Sequence, residues 1–328
     1  MHPFSYRQTV DEGSAIAAVV AEESATYIAG GTGLIDLMKL HVQTPTHLVD
    51  INALPLGNIE AQGDGVRIGA LARNSDVAYH ELMRERYPLL AQALLAGATP
   101  QLRNAATIGG NLLQRTRCSY FRDIVTPCNK RDPQSGCSAI DGYNRSHAIL
   151  GGSAHCIATH PSDMCVALVA LDAVVQTRGP KGTRTIPVAD LYLSPEHHPE
   201  QETVLEHGEL VVAIDLPASP FAAHSRYLKI RERASYSFAV VSVAAALDIQ
   251  DSIIRAARIA LGGVAPKPWR AYEAEKILLG QPPHSEIYHA AAVAAVQGAR
   301  PQRHNAFKVD LVQRTVVRAL DFLAGVRP

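Results

Sequence analysis

A segment of about forty residues, from Cys118 to Cys156, holds four of the chain's five cysteines and constrains the fold more than any other feature. Around the cysteines lie Gly, Pro, Asn, Ser and Arg without helical or strand periodicity, which predicts one long loop. Loops of this length in compact proteins are usually functional or disordered. Because a disordered loop has no need of four cysteines, we expect something to hold this one in shape.

Disulfides, a zinc ion or an iron–sulfur cluster could hold the loop. Disulfides favour small secreted chains, whereas this chain has 328 residues and we expect no secretory signal at its start. Structural zinc sites take ligand pairs about two to four residues apart, but the gaps here are nine, eight and eighteen residues. Four thiolates are the usual ligands of a 4Fe–4S cluster, although this spacing matches neither ferredoxin pattern. The spacing leaves the choice open, with disulfides least favoured.

Composition argues against nucleic-acid-binding and membrane-spanning proteins. The 31 basic and 31 acidic residues form no basic stripe, and no apolar run approaches the roughly 18 residues that cross a bilayer. The length predicts about two domains, and 47% hydrophobic residues suffice for ordinary cores. We therefore expect no nucleic-acid partner, no membrane span and a cytoplasmic location. A periplasmic location is the alternative if a partner with an export signal carries the folded complex.

Residues 29–34, Ala-Gly-Gly-Thr-Gly-Leu, form a glycine-rich loop between a predicted strand at 25–28 and a predicted helix at 35–40. Strand, glycine loop and helix is an arrangement that presents backbone N–H groups to a phosphate. Gly31-Thr32-Gly33 begins a dinucleotide-binding fingerprint, but Asp36 occupies the position of its third glycine. A phosphate loop and a plain tight turn are both possible.

A second glycine motif lies at residues 107–112, Thr-Ile-Gly-Gly-Asn-Leu. We predict a loop that brings backbone amides and short side chains against a ligand. The cysteine segment follows, and His160-Pro161-Ser162-Asp163 comes after it. Ser162 or Asp163 is also a suitable N-cap for a helix that runs to residue 171.

The remaining pattern predicts hairpins, then three strands and three helices, which is an α+β order. The hairpins pair 59–61 with 66–70 and 172–177 with 184–188, and a helical stretch at 75–95 is interrupted at Pro88. A buried strand at 210–214 leads to a linker at 217–220. The later strands are predicted at 225–230, 238–247 and 253–261, and the later helices at 271–279, 287–296 and 309–323.

Together these motifs resemble the FAD-binding, or medium, subunit of molybdenum hydroxylases, the xanthine dehydrogenase and aldehyde oxidoreductase family. The resemblance rests on the two glycine motifs in this order and on the residues around Asp163, and it covers essentially the whole chain. Most medium subunits lack the cysteine segment. Its sequences at 113–118, Leu-Gln-Arg-Thr-Arg-Cys, and 127–131, Pro-Cys-Asn-Lys-Arg, resemble the bacterial periplasmic-type aldehyde oxidoreductase subunit, in which the insert holds a 4Fe–4S cluster.

The resemblance implies an α+β fold of two domains. Residues 1–220 would form a vanillyl-alcohol-oxidase (PCMH)-type FAD-binding domain of two subdomains, with an iron–sulfur insertion near 114–157. Residues 221–328 would form an α+β domain similar to the C-terminal domain of the CO dehydrogenase flavoprotein.

The resemblance also implies which residues bind cofactors. Residues 29–34 would wrap the FAD pyrophosphate, Thr107 and residues 109–111 would contact the phosphate and ribitol side, and Asp163 would reach polar groups of the cofactor. The full implied set of FAD contacts is Thr26, Tyr27, Ile28, Ala29, Gly30, Gly31, Thr32, Gly33, Leu34, Thr107, Gly109, Gly110, Asn111, Asp163, Ile214 and Lys229. The implied ligands of the 4Fe–4S cluster are Cys118, Cys128, Cys137 and Cys156.

By the same resemblance, the protein is expected to be the electron-transfer subunit of a molybdenum-containing aldehyde oxidoreductase. A large molybdenum-cofactor subunit would oxidise the organic substrate, and a small 2Fe–2S subunit would pass electrons to FAD. The external acceptor would be ferredoxin, quinone, NAD or oxygen. The alternatives are a medium subunit of the xanthine dehydrogenase or 4-hydroxybenzoyl-CoA reductase type and, in a different class, a zinc-stabilised interaction protein without flavin.

Overall fold

Residues 1–219 and 221–325 are described by a computed structural model of the chain. Pro220, at the predicted domain boundary, and residues 326–328, at the predicted end of the second domain, lie outside the described residues. The described part forms three sheets with helices packed around them, so the predicted α+β class is confirmed.

The first sheet has three parallel strands that are joined by two helices. β3 lies between β1 and β2. β1 is absent from the sequence predictions because all four of its residues are exposed and show no hydrophobic alternation. The elements are β1 (Ser5–Gln8), α1 (Glu12–Val20), β2 (Ala25–Ile28), α2 (Leu34–Lys39) and β3 (His47–Asp50).

The second sheet is antiparallel and has five strands, which are β4 (Ile59–Gln62), β5 (Gly65–Gly69), β6 (Val174–Gly179), β7 (Gly182–Pro187) and β8 (Leu210–Leu216). Both predicted hairpins, β4–β5 and β6–β7, are confirmed. β8 pairs with β5 on one side and β6 on the other, so it joins two hairpins that are far apart in the sequence.

Eight helices connect β5 to β6 and a ninth follows β7. The predicted helix at 75–95 is three helices, because the chain is extended at His80 and leaves the helical conformation at Tyr87, before Pro88. The helices are α3 (Asn74–Tyr79), α4 (Glu81–Arg86), α5 (Pro88–Ala96), α6 (Pro100–Ala105), α7 (Ile108–Leu112), α8 (Ser119–Arg122), α9 (Ser138–Asp141), α10 (Asp163–Ala170) and α11 (Val188–Leu191).

The third sheet is antiparallel in the order β12-β11-β10-β9 and is followed by three helices, as the pattern predicts. The predicted strand at 238–247 begins only at Val241, and β12 is too short to show a pattern. The elements are β9 (Ser225–Ile230), β10 (Val241–Gln250), β11 (Ile253–Gly262), β12 (Trp269–Arg270), α12 (Tyr272–Leu278), α13 (Ser285–Ala295) and α14 (Phe307–Leu323).

α10 connects the two parts of the fold. All eight of its residues are buried, and it packs against α5 on one side and against β10 and β11 on another. β9 in turn packs against α5. Residues at the start of α10 and at the end of β9 are thereby brought together. In the ranges 1–219 and 221–325, no helix is long and apolar enough to span a bilayer.

Candidate functional site

The loop at residues 29–34 connects β2 to α2 and exposes bare backbone. Gly31 has a φ of +68°, a conformation that residues with side chains rarely adopt. A Cβ on Gly30 would overlap the carbonyl oxygen of Ala105, so α6 can approach the loop only because Gly30 has no side chain. On Gly33 a Cβ would find nothing within 4 Å. The space beside Gly33 is therefore open to a ligand.

The backbone amides of this loop are free to bind an anion. Among the described residues, no hydrogen bond uses the N–H groups of Gly31, Thr32 or Gly33, and α2 has no side-chain cap. Successive N–H groups without protein partners form a concave donor surface that suits a phosphate oxygen. The geometry therefore favours the phosphate-loop interpretation over a plain turn.

The second glycine motif is a short helix and not the predicted loop, and its backbone amides are hydrogen-bonded within the protein. The motif is the first turn of α7, with Thr107 as its N-cap. The N–H of Gly109 donates to Ala70 O at 2.8 Å, that of Gly110 to Thr107 Oγ1 at 3.1 Å and that of Asn111 to Thr107 O at 2.8 Å. Because a Cβ on Gly109 would lie only 3.2 Å from Ala70, the glycine allows α7 to pack closely on the end of β5.

A continuous cleft runs between the two motifs, in two connected compartments. The inner compartment has a cavity volume of about 250 Å³ and the outer compartment about 880 Å³. The inner one lies along β2 and the first glycine loop and is bounded by apolar residues of β8, and the outer one extends to α10 and β9. The residues that line both are Thr32, Gly33, Gly110, Gln114 and Arg117.

All of the predicted FAD contacts except Ile214 line this cleft. Asn111, Asp163 and Lys229 lie in the outer compartment. Ile214 lies in the core of the five-stranded sheet with no exposed surface, because β8 runs away from the cleft after Val211. The predicted contacts in the inner compartment are Thr26, Tyr27, Ile28, Ala29, Gly30, Gly31, Thr32, Gly33, Leu34, Thr107, Gly109 and Gly110.

Two arginines of the outer compartment are missing from the predicted site. Arg117 Nη1 and Arg122 Nη2 lie 3.1 and 2.8 Å from Asp36 Oδ2. The guanidinium of Arg117 also stacks on Phe238, 5.2 Å from the ring centre. Burial and the charge of Arg122 lower the pKa of Arg117. Sequence reasoning could not find this cluster, because its members come from α2, from the region where the cysteine segment begins, and from the connection between β9 and β10.

Several buried polar atoms of the outer compartment have no partner within the described part of the chain. They are Asn74 Oδ1, Arg103 Nε, Arg117 Nε and Arg122 Nη1. Buried polar groups in proteins are nearly always hydrogen-bonded, and exceptions need an explanation. One acceptor and three donors are therefore left without a partner on residues that line one compartment.

A buried ion pair closes the far end of the outer compartment. Asp163 Oδ2 accepts from Lys229 Nζ at 2.7 Å, and Lys229 Nζ also donates to Ala96 O at 3.0 Å. The Lys229 and Asp163 side chains are 4% and 8% exposed. Tyr227 donates its hydroxyl to Asp163 Oδ1 at 2.6 Å, and burial together with Asp163 raises the pKa of Tyr227. The N-cap predicted for α10 is Ser162, whose Oγ accepts from Cys165 N at 3.2 Å.

The four cysteines predicted as ligands line one small cavity, together with Tyr120, Phe121 and Lys130. They are free thiols, as is Cys165, which speaks against the disulfide alternative. An antiparallel backbone bridge joins Cys128 to Cys137. His147 Nε2 lies 3.1 Å from Cys118 Sγ. The structure thus gathers residues from a long segment around one space. They are Cys118, Cys128, Cys137 and Cys156.

Burial favours the protonated form of two of these thiols, Cys118 and Cys156. Burial raises the pKa of Cys118 to about 12 and that of Cys156 to about 11. In the part of the chain that the structure describes, no group of three or more His, Cys, Asp or Glu residues is arranged to hold a metal ion. This arrangement gives no support to a structural zinc, and the 4Fe–4S cluster stays a prediction.

Side-chain hydrogen bonds also hold the cysteine segment, which contains α8 and α9 and is not a featureless loop. Arg131 Nη1 donates to the carbonyl oxygens of Tyr120 and Phe121 at 2.8 Å each. Asn129 Nδ2 donates to His155 O at 3.0 Å. Hydrogen bonds within the protein therefore contribute to the shape of this segment.

Family models cover nearly the whole chain. The model for the FAD binding domain in molybdopterin dehydrogenase matches residues 2–219. The model for the CO dehydrogenase flavoprotein C-terminal domain matches residues 226–322. The two matches meet near the linker predicted at 217–220.

Individual proteins show the same similarity. The chain is 49% identical over 322 residues to the aldehyde oxidoreductase FAD-binding subunit PaoB of Escherichia coli K12, with 98% of each chain covered. It is 30% identical to the carbon monoxide dehydrogenase medium chain of Hydrogenophaga pseudoflava, over 97% of this chain and 96% of that one. A solved structure of the carbon monoxide dehydrogenase from that organism superposes with a TM-score of 0.78 at 29% identity, covering 100% of this chain and 99% of the other.

Proposed function

Because the chain belongs to the FAD-binding medium subunits of molybdenum hydroxylases, we propose that it is the electron-transfer subunit of a molybdenum-containing aldehyde oxidoreductase. The FAD-binding fold and the oxidoreductase class agree with the sequence predictions. The alternative of an interaction protein without flavin is wrong, because a FAD-binding family model covers residues 2–219. The observation that carries the proposal is the continuous cleft from the free amides near Gly33 to the Asp163–Lys229 pair.

The proposal assigns FAD to the two compartments of the cleft. The pyrophosphate would lie on the amides of Gly31, Thr32 and Gly33, which have no acceptor among the described residues. The ribitol side would pass α7, where Gly110 has no side chain, and the flavin ring would lie in the outer compartment near Asp163 and Lys229. The unpaired atom of Asn74 supports this assignment, since a polar ligand would satisfy it.

When bound, FAD supplies a group that takes up two electrons and passes them on singly or in pairs. The chain's own residues bind and orient it. Apolar side chains of β8 bound the inner compartment, and the ion pair of Asp163 with Lys229 would place fixed charges beside the ring at the other end. Charges in a partly dry site act more strongly than charges in water, so these residues would set how readily the ring is reduced.

The partners follow from the family. A large molybdenum-cofactor subunit would oxidise the aldehyde, and a small 2Fe–2S subunit would deliver electrons to this chain. The aldehyde is proposed because the relative at 49% identity is named as an aldehyde oxidoreductase subunit. The external acceptor, whether ferredoxin, quinone, NAD or oxygen, would approach the open side of the outer compartment.

We further propose that the cysteine cavity holds a 4Fe–4S cluster. Four cysteines around one space are the ligands that such clusters use. A four-iron cluster is wider than a single metal ion, so its ligands need not be grouped as closely as those of one ion, a grouping that the described residues do not show. Cluster binding would replace the protons that burial favours on Cys118 and Cys156. We favour a structural role, in which the cluster keeps the insert folded, over a role as an electron relay.

The test is the cofactor and subunit content of the protein purified from its natural complex. The proposal predicts one acid-released FAD and four irons per chain, with a molybdenum subunit and a 2Fe–2S subunit in the same complex. Turnover should be supported by aldehydes and not by purines, which separates this function from a xanthine dehydrogenase type. A complex without FAD would refute the flavin assignment, and one FAD with no iron beyond that of the small subunit would refute only the cluster.

A further inference from the structure

Tyr227 contacts Asp163, a residue of the proposed flavin site, but does not itself line the cleft. It is on β9, in the part of the fold that follows the linker, and it is 6% exposed. Its hydroxyl donates to Asp163 Oδ1 at 2.6 Å, while Asp163 Oδ2 accepts from Lys229 Nζ at 2.7 Å. Both oxygens of one carboxylate are therefore held by side chains from the same strand.

The strand geometry explains why one strand can hold both oxygens. Residues two apart in a strand point to the same face of the sheet, so Tyr227 and Lys229 both point toward α10, where Asp163 is the first residue. The backbone N–H of Tyr227 donates to Gln92 Oε1 at 3.0 Å, which anchors this part of β9 against α5. The position of the hydroxyl is thereby fixed relative to the FAD-binding domain.

We propose that Tyr227 is a positioning residue that fixes the orientation and charge distribution of the Asp163–Lys229 pair and thereby sets the reduction potential of the bound flavin. The inference rests on the proposed location of the flavin ring in the outer compartment. A hydrogen bond from the tyrosine hydroxyl draws negative charge away from the side of the carboxylate that faces Lys229. Without it, Oδ1 is left unpaired in a buried place and the carboxylate can turn toward the ring.

The direction of the effect follows from the charge change on reduction. A reduced flavin carries more negative charge than an oxidised one, and a nearby negative charge disfavours the more negative state. Loss of the hydroxyl leaves the negative charge of Asp163 less compensated. The flavin should then be harder to reduce, and its midpoint potential should become more negative.

A simpler role for Tyr227 is to fill space, since its ring is part of the main hydrophobic core. Tyr227→Phe separates the two roles, because it keeps the ring and removes only the hydroxyl. Tyr288→Phe is the matched control. Tyr288 is 1% exposed, lies in the core of the third sheet and has a hydroxyl with no partner in the described part of the chain.

The measurement is the flavin midpoint potential, obtained by redox titration of the flavin absorbance in the purified holoenzyme, with acid-released FAD counted for each variant. We expect Tyr227→Phe to shift the potential to a more negative value and Tyr288→Phe to leave it at the wild-type value. An unchanged potential in Tyr227→Phe with full FAD content would overturn the inference.

A double-mutant cycle with Asp163→Asn distinguishes this failure from a failure of the proposed ring location. Tyr227 should act through Asp163, so its effect on the potential should be absent when Asp163 is already Asn. If Asp163→Asn itself leaves the potential unchanged, the ring does not lie in the outer compartment and the proposed location fails. If Asp163→Asn shifts the potential but Tyr227→Phe does not, only the role of Tyr227 fails.

Discussion

At Gly30, the addition of a single methyl group should displace the proposed FAD pyrophosphate. A methyl group there would overlap the carbonyl oxygen of Ala105, at the end of α6. Backbone cannot yield as a flexible side chain can, so Gly30→Ala should cost about 1–3 kcal/mol of folding free energy and reduce bound FAD. The measurement is acid-released FAD per chain together with thermal unfolding.

Gly57→Ala is a suitable control for Gly30→Ala. A Cβ at Gly57 would meet nothing within 4 Å, and its φ is not positive. It should therefore retain full FAD. If Gly30→Ala binds FAD as well as Gly57→Ala does, the packed position of the loop is not required for binding.

Substitution of Cys128 tests whether the proposed cluster is structural or relays electrons. It is buried and packs with Leu37 and Phe121. If the cluster is structural, Cys128→Ser should lose iron and about 1–3 kcal/mol of stability while turnover per bound FAD stays unchanged. Cys165→Ala should keep its iron, because Cys165 lies apart in the main core. Turnover that falls in proportion to iron would show that the cluster carries electrons.

The two glycine motifs show what residue patterns reveal about a site. Both motifs predict a loop that binds a ligand, since each has glycines beside Thr. Only the structure shows that Thr107 caps a helix and uses up the amides of the second motif, whereas those of the first stay free. Hydrogen-bond satisfaction depends on partners such as Ala70, which lie far away in the sequence.

Among elements, α2 and the cysteine segment form one connected unit. Asp36 on α2 accepts from Arg117 and Arg122 of that segment, and Leu37 packs on Phe121. α2 begins immediately after the first glycine loop, so the insert supports the loop proposed to hold the pyrophosphate. Changes in the insert should therefore alter FAD binding at the first glycine loop.

Asp36→Asn should weaken FAD binding through this connection. The Asp36 side chain is 39% exposed, so we expect a loss of about 1 kcal/mol, which is a several-fold rise in the FAD dissociation constant. Titration of FAD into flavin-depleted protein measures it. Asp310→Asn removes an ion pair with Arg314 at 2.9 Å on α14 and should leave FAD binding unchanged. Equal affinities in the two variants would mean that the insert does not support the loop.

Elements with clear hydrophobic periodicity were predictable from the sequence, and irregular ones were not. The long strands β10 and β11 and the amphipathic helix α14 match their predictions within three residues. α7 was predicted as a loop because glycine disfavours helices, and its N-cap and its packing on β5 outweigh that preference.

At the scale of the whole molecule, the site is an assembly of segments that only the tertiary fold brings together. The pair of Asp163 and Lys229 joins α10 to β9, and Tyr227 contacts the same carboxylate. No local pattern encodes such contacts, because each partner is in a different domain of the predicted organisation. The resemblance to a family supplied the two residues of the pair, and the structure added Tyr227.

The central claim is that this chain carries electrons for a partner and does not oxidise the organic substrate itself. The most direct measurement is the flavin absorbance after anaerobic addition of an aldehyde. The flavin should bleach in the complete complex and stay oxidised in the isolated FAD-loaded chain. Bleaching in the isolated chain, or none in a complex with all its cofactors, would contradict the claim.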